Sequence, residues 1–149
     1  MIKKITIWFL CLSVLSGQFS IAEEKFLSLK KNKVNVRYGP SFDSKIKYIY
    51  KKINLPIKQI DQKENFRRIV DLKNNSGWIH ISQIKKSNSI IILEDKILYK
   101  KPSNFSKPIA KLEKGRLLIL KKCENIWCNV KTEDYSGWVK TENIWGSIR

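Results

Sequence analysis

Short runs of alternating hydrophobic and polar residues extend along most of the chain. Residues 34–38 (VNVRY) alternate with a period of two, and runs of similar length begin at residues 46, 55 and 66. Turn-forming residues separate these runs, for example GPS at 39–41 and NNSG at 74–77. Alternation with this period is typical of β-strands, and no stretch after residue 22 has the 3.6-residue period of an amphipathic helix. The pattern predicts an all-β chain of short strands, as in a small barrel or sandwich.

The strand pattern occurs twice. SGWIH at residues 76–80 returns sixty positions later as SGWVK at 136–140, and ENFRRIV at 64–70 corresponds to ENIWCNV at 124–130. We therefore predict two similar units, residues 23–84 and 97–149. Residues 85–96 form the predicted linker, and its apolar run at 89–93 is interpreted as a strand buried on both faces. Because this connection is short, we expect the units to pack together.

The first 22 residues have the pattern of an export signal. A basic start precedes an almost unbroken apolar run at residues 5–17, and the small residues Ser20 and Ala22 come before the acidic pair Glu23 and Glu24. The apolar run is shorter than the ~20 residues of a membrane-spanning helix. We predict a signal peptide, residues 1–22, cleaved after Ala22, and an exported, periplasmic protein. The alternative is a retained membrane anchor.

Two cysteines, Cys123 and Cys128, remain after residue 22. An isolated even pair in an exported protein is typical of a disulfide, and four intervening residues let opposite strands of a hairpin bring the two Cα atoms together. The alternatives are a metal pair and a redox-active dithiol. A metal needs three or four ligands, the one histidine, His80, lies in the other unit, and C-x₄-C lacks thioredoxin-like spacing. We predict a structural disulfide, no metal site and no cofactor.

The chain is strongly basic, with 30 Lys and Arg against 13 Asp and Glu and a formal net charge of +17. Nucleic-acid-binding surfaces concentrate their basic residues and favour arginine. Here lysine far outnumbers arginine, and the charge is spread over both units. We therefore predict a solvated lysine-rich surface with no nucleic-acid partner. Long-range attraction to an anionic membrane surface or envelope polymer is expected to weaken with salt.

Two motifs resemble those of a known family. NVRYGPS at residues 35–41 resembles the N-V-R-x-G-P-S signature that opens bacterial SH3-like domains, and FRRI at 66–69 followed by GWIH at 77–80 resembles their close. The resemblance covers almost the whole chain after residue 22, although the second copy lacks the NVR triplet and Phe66 stands where the family usually has Trp. It implies two tandem SH3-like small β-barrels.

The resemblance also implies a function, that of a binding module. In several members of the family the ligand is peptidoglycan or its peptide stems. The sequence contains no G-x-S-x-G, no H-E-x-x-H and no P-loop, and its acidic residues show no spacing that singles out an acid–base pair. We predict a monomeric, non-catalytic protein that binds peptidoglycan or an envelope protein. The alternative is a periplasmic adaptor that binds an extended peptide of a partner protein.

In SH3-like domains the exposed groove is lined by aromatic residues from the loop after the first strand and from the loops that follow. Aromatic side chains suit peptide and sugar surfaces because they offer a large rigid face at little entropic cost. Arg67, or alternatively Arg68, is available for a carboxylate of a stem peptide. By position, the aromatic candidates are Tyr38, Phe42, Tyr48, Tyr50 and Trp78.

The same residues have a structural interpretation. Patterning alone favours the core for Trp78 and Trp138, since alternating strands must bury one face. Tyr48 and Tyr50 share parity and so point to one face, which is either core or groove. Arg37 is expected to support the loop before Gly39-Pro40, and His80 to be a surface or packed strand residue.

Overall fold

The computed structural model describes residues 23–148. The predicted signal peptide lies outside the described residues. The first unit contains β1 (Lys25–Leu29), β2 (Val34–Arg37), β3 (Ile46–Tyr50), β4 (Pro56–Lys63), β5 (Phe66–Val70), β6 (Ser76–His80) and β7 (Ile84–Lys86), with a 3₁₀ turn at Ile81–Gln83. The second contains β8 (Ser89–Ile92), β9 (Lys96–Tyr99), β10 (Pro108–Leu112), β11 (Leu117–Glu124), β12 (Trp127–Lys131), β13 (Ser136–Lys140) and β14 (Ile144–Gly146). The all-β prediction is confirmed.

The two units have the same topology. The strand order of the first sheet is β3-β2-β6-β5-β4-β1-β7, and that of the second is β10-β9-β13-β12-β11-β8-β14. Adding seven to each strand number of the first order gives the second, so the predicted duplication is confirmed. No helix within residues 23–148 combines the length and the apolar character needed to span a membrane.

The sheets are open, which corrects the prediction of barrels. Within the described residues, β3 pairs only with β2 and β7 only with β1, so no ladder joins the two ends of the first sheet. The second sheet ends in the same way at β10 and β14. β7 and β14 are three residues long, and such short strands offer few backbone groups for a further ladder.

The predicted linker, residues 85–96, belongs to the two sheets. Its first two residues complete β7, and its apolar run forms β8, which pairs with β11 and β14. The second unit therefore begins at Ser89 and not at residue 97. All four residues of β8 are buried, as expected for a strand that is covered on both faces.

Each unit has its own core, formed by alternate residues of its strands. In β2, Val34 and Val36 are fully buried while Asn35 and Arg37 are partly exposed. This is the period of two that the sequence shows. The first core consists of Leu29, Val34, Val36, Ile57, Ile69 and Ile79. The second consists of Ile90, Ile92, Leu98, Leu112, Leu118, Cys128, Val130 and Val139.

The units pack against each other along β1, β4, β8 and β14. The hydroxyl oxygens of Ser28 and Ser89, both fully buried, lie 2.8 Å apart. Trp145 Nε1 donates to the carbonyl oxygen of Pro56 at 3.0 Å, and the Trp145 ring meets Phe26 edge to face with centroids 5.1 Å apart. These polar contacts fix the relative position of the units, since the fully buried hydroxyls of Ser28 and Ser89 require partners and the half-buried indole of Trp145 adds a bond across the interface. The expected close packing of the units is thus observed.

The disulfide lies across the hairpin of the second unit. Cys123 on β11 is directly opposite Cys128 on β12, and the two are bonded. Cys128 is fully buried and is part of the second core. The predicted structural disulfide is confirmed.

The SGW motif reflects a close approach of two strands. A Cβ added at Gly77 would lie 2.4 Å from Val36 Cγ1 and 3.0 Å from the Arg37 carbonyl oxygen. A Cβ at Gly137 would lie 2.6 Å from the Tyr99 carbonyl oxygen. Glycine is therefore required where β6 crosses β2, and where β13 crosses β9. The tryptophan that follows each glycine is placed next to the crossing.

Candidate functional site

Arg37 at the end of β2 fastens the loop that leads to β3. Its Nη1 atom donates to the carbonyl oxygens of Phe42 at 3.0 Å and Ser44 at 2.8 Å, and the guanidinium carbon lies 5.7 Å from the centroid of the Phe42 ring. Charge-assisted bonds of this kind are stronger than bonds between neutral groups. The expectation that Arg37 supports this loop is confirmed. The loop holds Tyr38 and Phe42 in solvent, with 66% and 62% of their surfaces exposed.

On one side of this loop lies a pocket of about 270 Å³, which we call the Trp78 pocket. Trp78, half-buried, is opposite Arg37 on β2 and opposite Arg68 on β5. Lys47 Nζ lies 5.6 Å from the centroid of the Tyr38 ring. The residues that line the pocket are Arg37, Tyr38, Lys47, Arg68, Ser76, Gly77 and Trp78.

The lining of the Trp78 pocket combines positive charge with aromatic faces. Three of its lining side chains are cations, and none of the described residues that line it is acidic. Arginine can bind a carboxylate through two parallel hydrogen bonds. The Tyr38 and Trp78 rings supply flat faces of the kind that pack against peptides and sugars.

On the other side of the loop, three rings form a cluster. Phe42 lies 5.2 Å from Phe66 and 4.8 Å from His80, and Phe66 lies 5.1 Å from His80, all measured between ring centroids. His80 Nδ1 is 2.8 Å from Ser82 Oγ. A shallow pocket of about 400 Å³ adjoins the cluster. Neither Phe66 nor His80 was predicted from the sequence to lie at a site, although the family motif marks Phe66 as a position usually held by Trp.

Tyr48 and Tyr50 pack against the first core and line neither pocket. Their rings meet edge to face with centroids 5.2 Å apart, their hydroxyl oxygens are 3.3 Å apart, and Tyr50 donates to Asp71 Oδ2 at 3.0 Å. Asp71 also accepts from the backbone N–H groups of Lys73 and Asn75. Burial is the main cause that raises the pKa of both tyrosine hydroxyls. Of the two alternatives, core and groove, the structure places these residues against the core.

The two neighbouring arginines of β5 have different surroundings. Arg67 Nη1 donates to the carbonyl oxygens of Glu64 at 2.8 Å and Phe66 at 2.9 Å, so its guanidinium is held at the β4–β5 turn. Arg68 lines the Trp78 pocket. Successive residues of a strand point to opposite faces, which is why only one of them reaches the pocket. The structure thus places Arg68, and not Arg67, beside Trp78.

The second unit has neither of the pocket arginines. Tyr99 and Asn129 lie opposite Trp138, at the places that Arg37 and Arg68 hold in the first unit. Their side chains carry no positive charge. The pair of arginines that flanks Trp78 therefore has no counterpart on the strands next to Trp138.

The two tryptophans of the SGW motifs also differ in exposure. Trp138 is only 8% exposed, and Lys122 Nζ lies 5.3 Å from the centroid of its ring. Patterning favoured the core for both tryptophans, and this holds for Trp138, whereas Trp78 is half-buried at the pocket. In the second unit the loop aromatic, Phe105, is fully exposed.

The described residues were also expected to contain no metal site. Within residues 23–148, no group of three or more His, Cys, Asp or Glu side chains is placed to hold a metal ion. The groups that the Trp78 pocket presents are cations, hydrogen-bond donors and aromatic faces.

No curated protein matches the chain in sequence. Two solved structures from Trichomonas vaginalis are similar: NlpC2, with 11% identity and a TM-score of 0.39, and NlpC1, with 12% identity and a TM-score of 0.38. The matches cover 84% and 91% of this chain, which spans about half the length of the two structures (49% and 51%).

A sequence family model gives a more specific result. The model described as "Bacterial SH3 domain" matches twice, at residues 30–86 and 95–146. Each match falls on one of the two seven-stranded sheets. The two matches together cover well over half of the sequence, in agreement with the duplicated topology. The chain belongs to the bacterial SH3 domain family, of which it contains two tandem copies.

Proposed function

We propose that this protein is a non-catalytic binding module of the cell envelope, whose Trp78 pocket recognises a carboxylate-bearing ligand such as a peptidoglycan stem peptide. The observation that carries the proposal is the position of Trp78 between Arg37 and Arg68, with Tyr38 exposed beside them. The family supports a binding role, and the pocket supports the chemical class of the ligand.

The geometry supports recognition of both parts of such a ligand. A carboxylate would accept hydrogen bonds from Arg68, whose guanidinium makes no hydrogen bond or ion pair to any described residue. The apolar or sugar part would pack on the rings of Tyr38 and Trp78. Arg37 would contribute positive charge while it holds the loop in place. Because Arg37 already fastens the loop, little ordering is required on binding.

The proposed location is the periplasm. Two features support it: the signal-peptide pattern of residues 1–22 and the disulfide between Cys123 and Cys128. Disulfides form and persist in oxidising compartments. An exported, basic protein would meet anionic envelope polymers, and its lysine-rich surface would add a salt-sensitive attraction to them.

Retention on purified sacculi across a series of salt concentrations tests the proposal. We expect retention that persists at moderate salt and is lost in Tyr38→Ala, which removes an exposed ring of the pocket. Phe105→Ala is the matched control, because it removes an exposed loop aromatic from the second unit. We also expect no release of muropeptides from the sacculi. No retention at any salt concentration, or equal loss in both variants, would contradict the proposal.

A protein-interaction adaptor is the second candidate, and the edge strand β3 favours it. β3 pairs only with β2, and Ile46 and Ile49 on this strand are exposed. An exposed edge can accept an extended peptide as an additional strand. Crosslinking in cells distinguishes the candidates: one stoichiometric protein partner without wall fragments would favour the adaptor.

A further inference from the structure

A further cavity lies between the two units and shares no lining residue with the Trp78 pocket. Its volume is about 570 Å³, within the roughly 300–1,000 Å³ of ligand-binding pockets. We call it the inter-unit cleft. Its walls include Lys51, Lys52 and Ile53 of the first unit and Arg116, Leu117 and Lys131 of the second.

The inter-unit cleft carries an excess of positive charge from both units. Lys51, Lys52, Arg116 and Lys131 line it, against a single acidic residue, Glu133. None of the four cations has a side-chain hydrogen bond or an ion pair to another described residue; the ion pairs of the described chain involve other lysines. Cations that face one space repel each other, and an anion placed between them would be attracted by both walls.

The distance between the two cationic walls is fixed by buried contacts. Ser89 Oγ donates to the carbonyl oxygen of Asn54, the residue after Ile53, and the Ser28 and Ser89 hydroxyls are in contact at 2.8 Å. Two residues after Asn54, the carbonyl oxygen of Pro56 accepts a hydrogen bond from Trp145 Nε1. The cleft is therefore formed before any ligand arrives, which lowers the entropic cost of binding.

The cleft also offers aliphatic surface. Ile53 is exposed, and Leu117 and Ile119 are half-buried where they line the cavity. A bare phosphate polymer has no apolar groups to cover this surface, so the aliphatic side chains would stay in contact with water. A peptide with both carboxylates and apolar side chains would use the charge and the aliphatic surface together. We propose that the inter-unit cleft binds an acidic peptide segment, with carboxylates that reach both cationic walls.

Fluorescence anisotropy with a labelled peptide of alternating Glu and Leu tests this proposal, with a Gln-for-Glu peptide as the uncharged control. The variant Lys52→Glu/Arg116→Glu reverses one cation on each wall. The matched variant Lys107→Glu/Lys121→Glu makes the same change in net charge at exposed lysines that do not line the cleft. We expect the cleft variant to weaken binding at least about tenfold, and the matched variant to weaken it far less, since loss of a charge-assisted contact exceeds loss of distant attraction.

Three results would overturn the proposal. Equal weakening in the two variants would show general polycation adhesion, and equal binding of the Gln peptide would show that carboxylates are not required. Displacement of the peptide by inorganic polyphosphate at a lower concentration than by unlabelled peptide would identify a phosphate polymer as the better occupant. Circular dichroism of both variants reports folding, and Lys131→Ala provides a milder change of the same wall with the same expected direction.

Discussion

Arg37 lies directly opposite Trp78 on the neighbouring strands β2 and β6. The same guanidinium bonds the loop that follows β2 at the carbonyl oxygens of Phe42 and Ser44. One side chain therefore couples the strand register to the loop that bears Tyr38. In this way the pocket is built from groups that the fold already holds in place.

The neighbouring arginines Arg67 and Arg68 give a matched pair of substitutions. We expect Arg68→Ala to weaken binding of a stem peptide about tenfold or more, because a charge-assisted contact to the carboxylate is lost. Arg67→Ala should leave the affinity nearly unchanged, since the Arg67 guanidinium bonds the β4–β5 turn and does not line the pocket. Isothermal titration calorimetry measures both affinities. Equal losses in the two variants would argue against the assignment of Arg68 to the site.

Gly77 is expected to tolerate no side chain. Gly77→Ala would place a Cβ 2.4 Å from Val36 Cγ1 and 3.0 Å from the Arg37 carbonyl oxygen. Relief of this clash requires movement of β2 against β6, with an expected loss of about 1–3 kcal/mol in the free energy of unfolding. Urea denaturation measures the loss. Ser76→Ala, one residue away, is the control and should change the free energy by less than about 0.5 kcal/mol.

The disulfide is expected to stabilise the second unit modestly. Cys123 and Cys128 are five positions apart, so the bridge closes a small loop. By lowering the conformational entropy of the unfolded chain, it contributes only about 2 kcal/mol to the free energy of unfolding. The variant Cys123→Ala/Cys128→Ala should lose about this amount of unfolding free energy. A reductant should destabilise the wild type similarly and leave the variant unaffected. An unfolding curve of the wild type that does not respond to the reductant would contradict the prediction.

Tyr50 is expected to make stability fall at alkaline pH. Burial, as the main cause, raises the pKa of its hydroxyl above the usual 10.0. The folded protein therefore keeps this proton after the unfolded chain has lost its own. This contribution to stability is intact below about pH 10 and is lost as the pH rises further.

Denaturation at about pH 8 and about pH 11 measures this dependence. Tyr50→Phe should show a smaller decrease in unfolding free energy between the two values than the wild type, because the variant has no hydroxyl to ionise at this position. Tyr135→Phe, at an exposed tyrosine, should show the wild-type decrease. An unchanged decrease in Tyr50→Phe would show that other groups determine the alkaline loss.

Features set by local chemistry could be predicted from the sequence. The SGW repeat gave the duplication because a close strand crossing requires glycine at both Gly77 and Gly137. The spacing of Cys123 and Cys128 gave the disulfide, since a hairpin places residues of that spacing opposite each other. Support of the loop by Arg37 followed from its position next to Gly39-Pro40.

Features that depend on long-range packing could not be predicted. Tyr48 and Tyr50 are two positions apart and therefore lie on the same face of β3. That this face packs against the core depends on the hydrogen bond from Tyr50 to Asp71, which lies on a turn distant in sequence. The alternation of β5 separates Arg67 from Arg68 without saying which one faces the pocket. The inter-unit cleft arises from the way β1 and β4 meet β8 and β14, and no local pattern encodes that arrangement.

Nuclear magnetic resonance titration of the protein with a stem peptide tests the central claim most directly. We predict that the backbone amide shifts concentrate at Arg37, Tyr38, Arg68 and Trp78. The amide signals of the equivalent residues Tyr99, Asn129 and Trp138 are expected not to move. Shifts of equal size in both units, or no saturable shifts at the first unit, would contradict the claim.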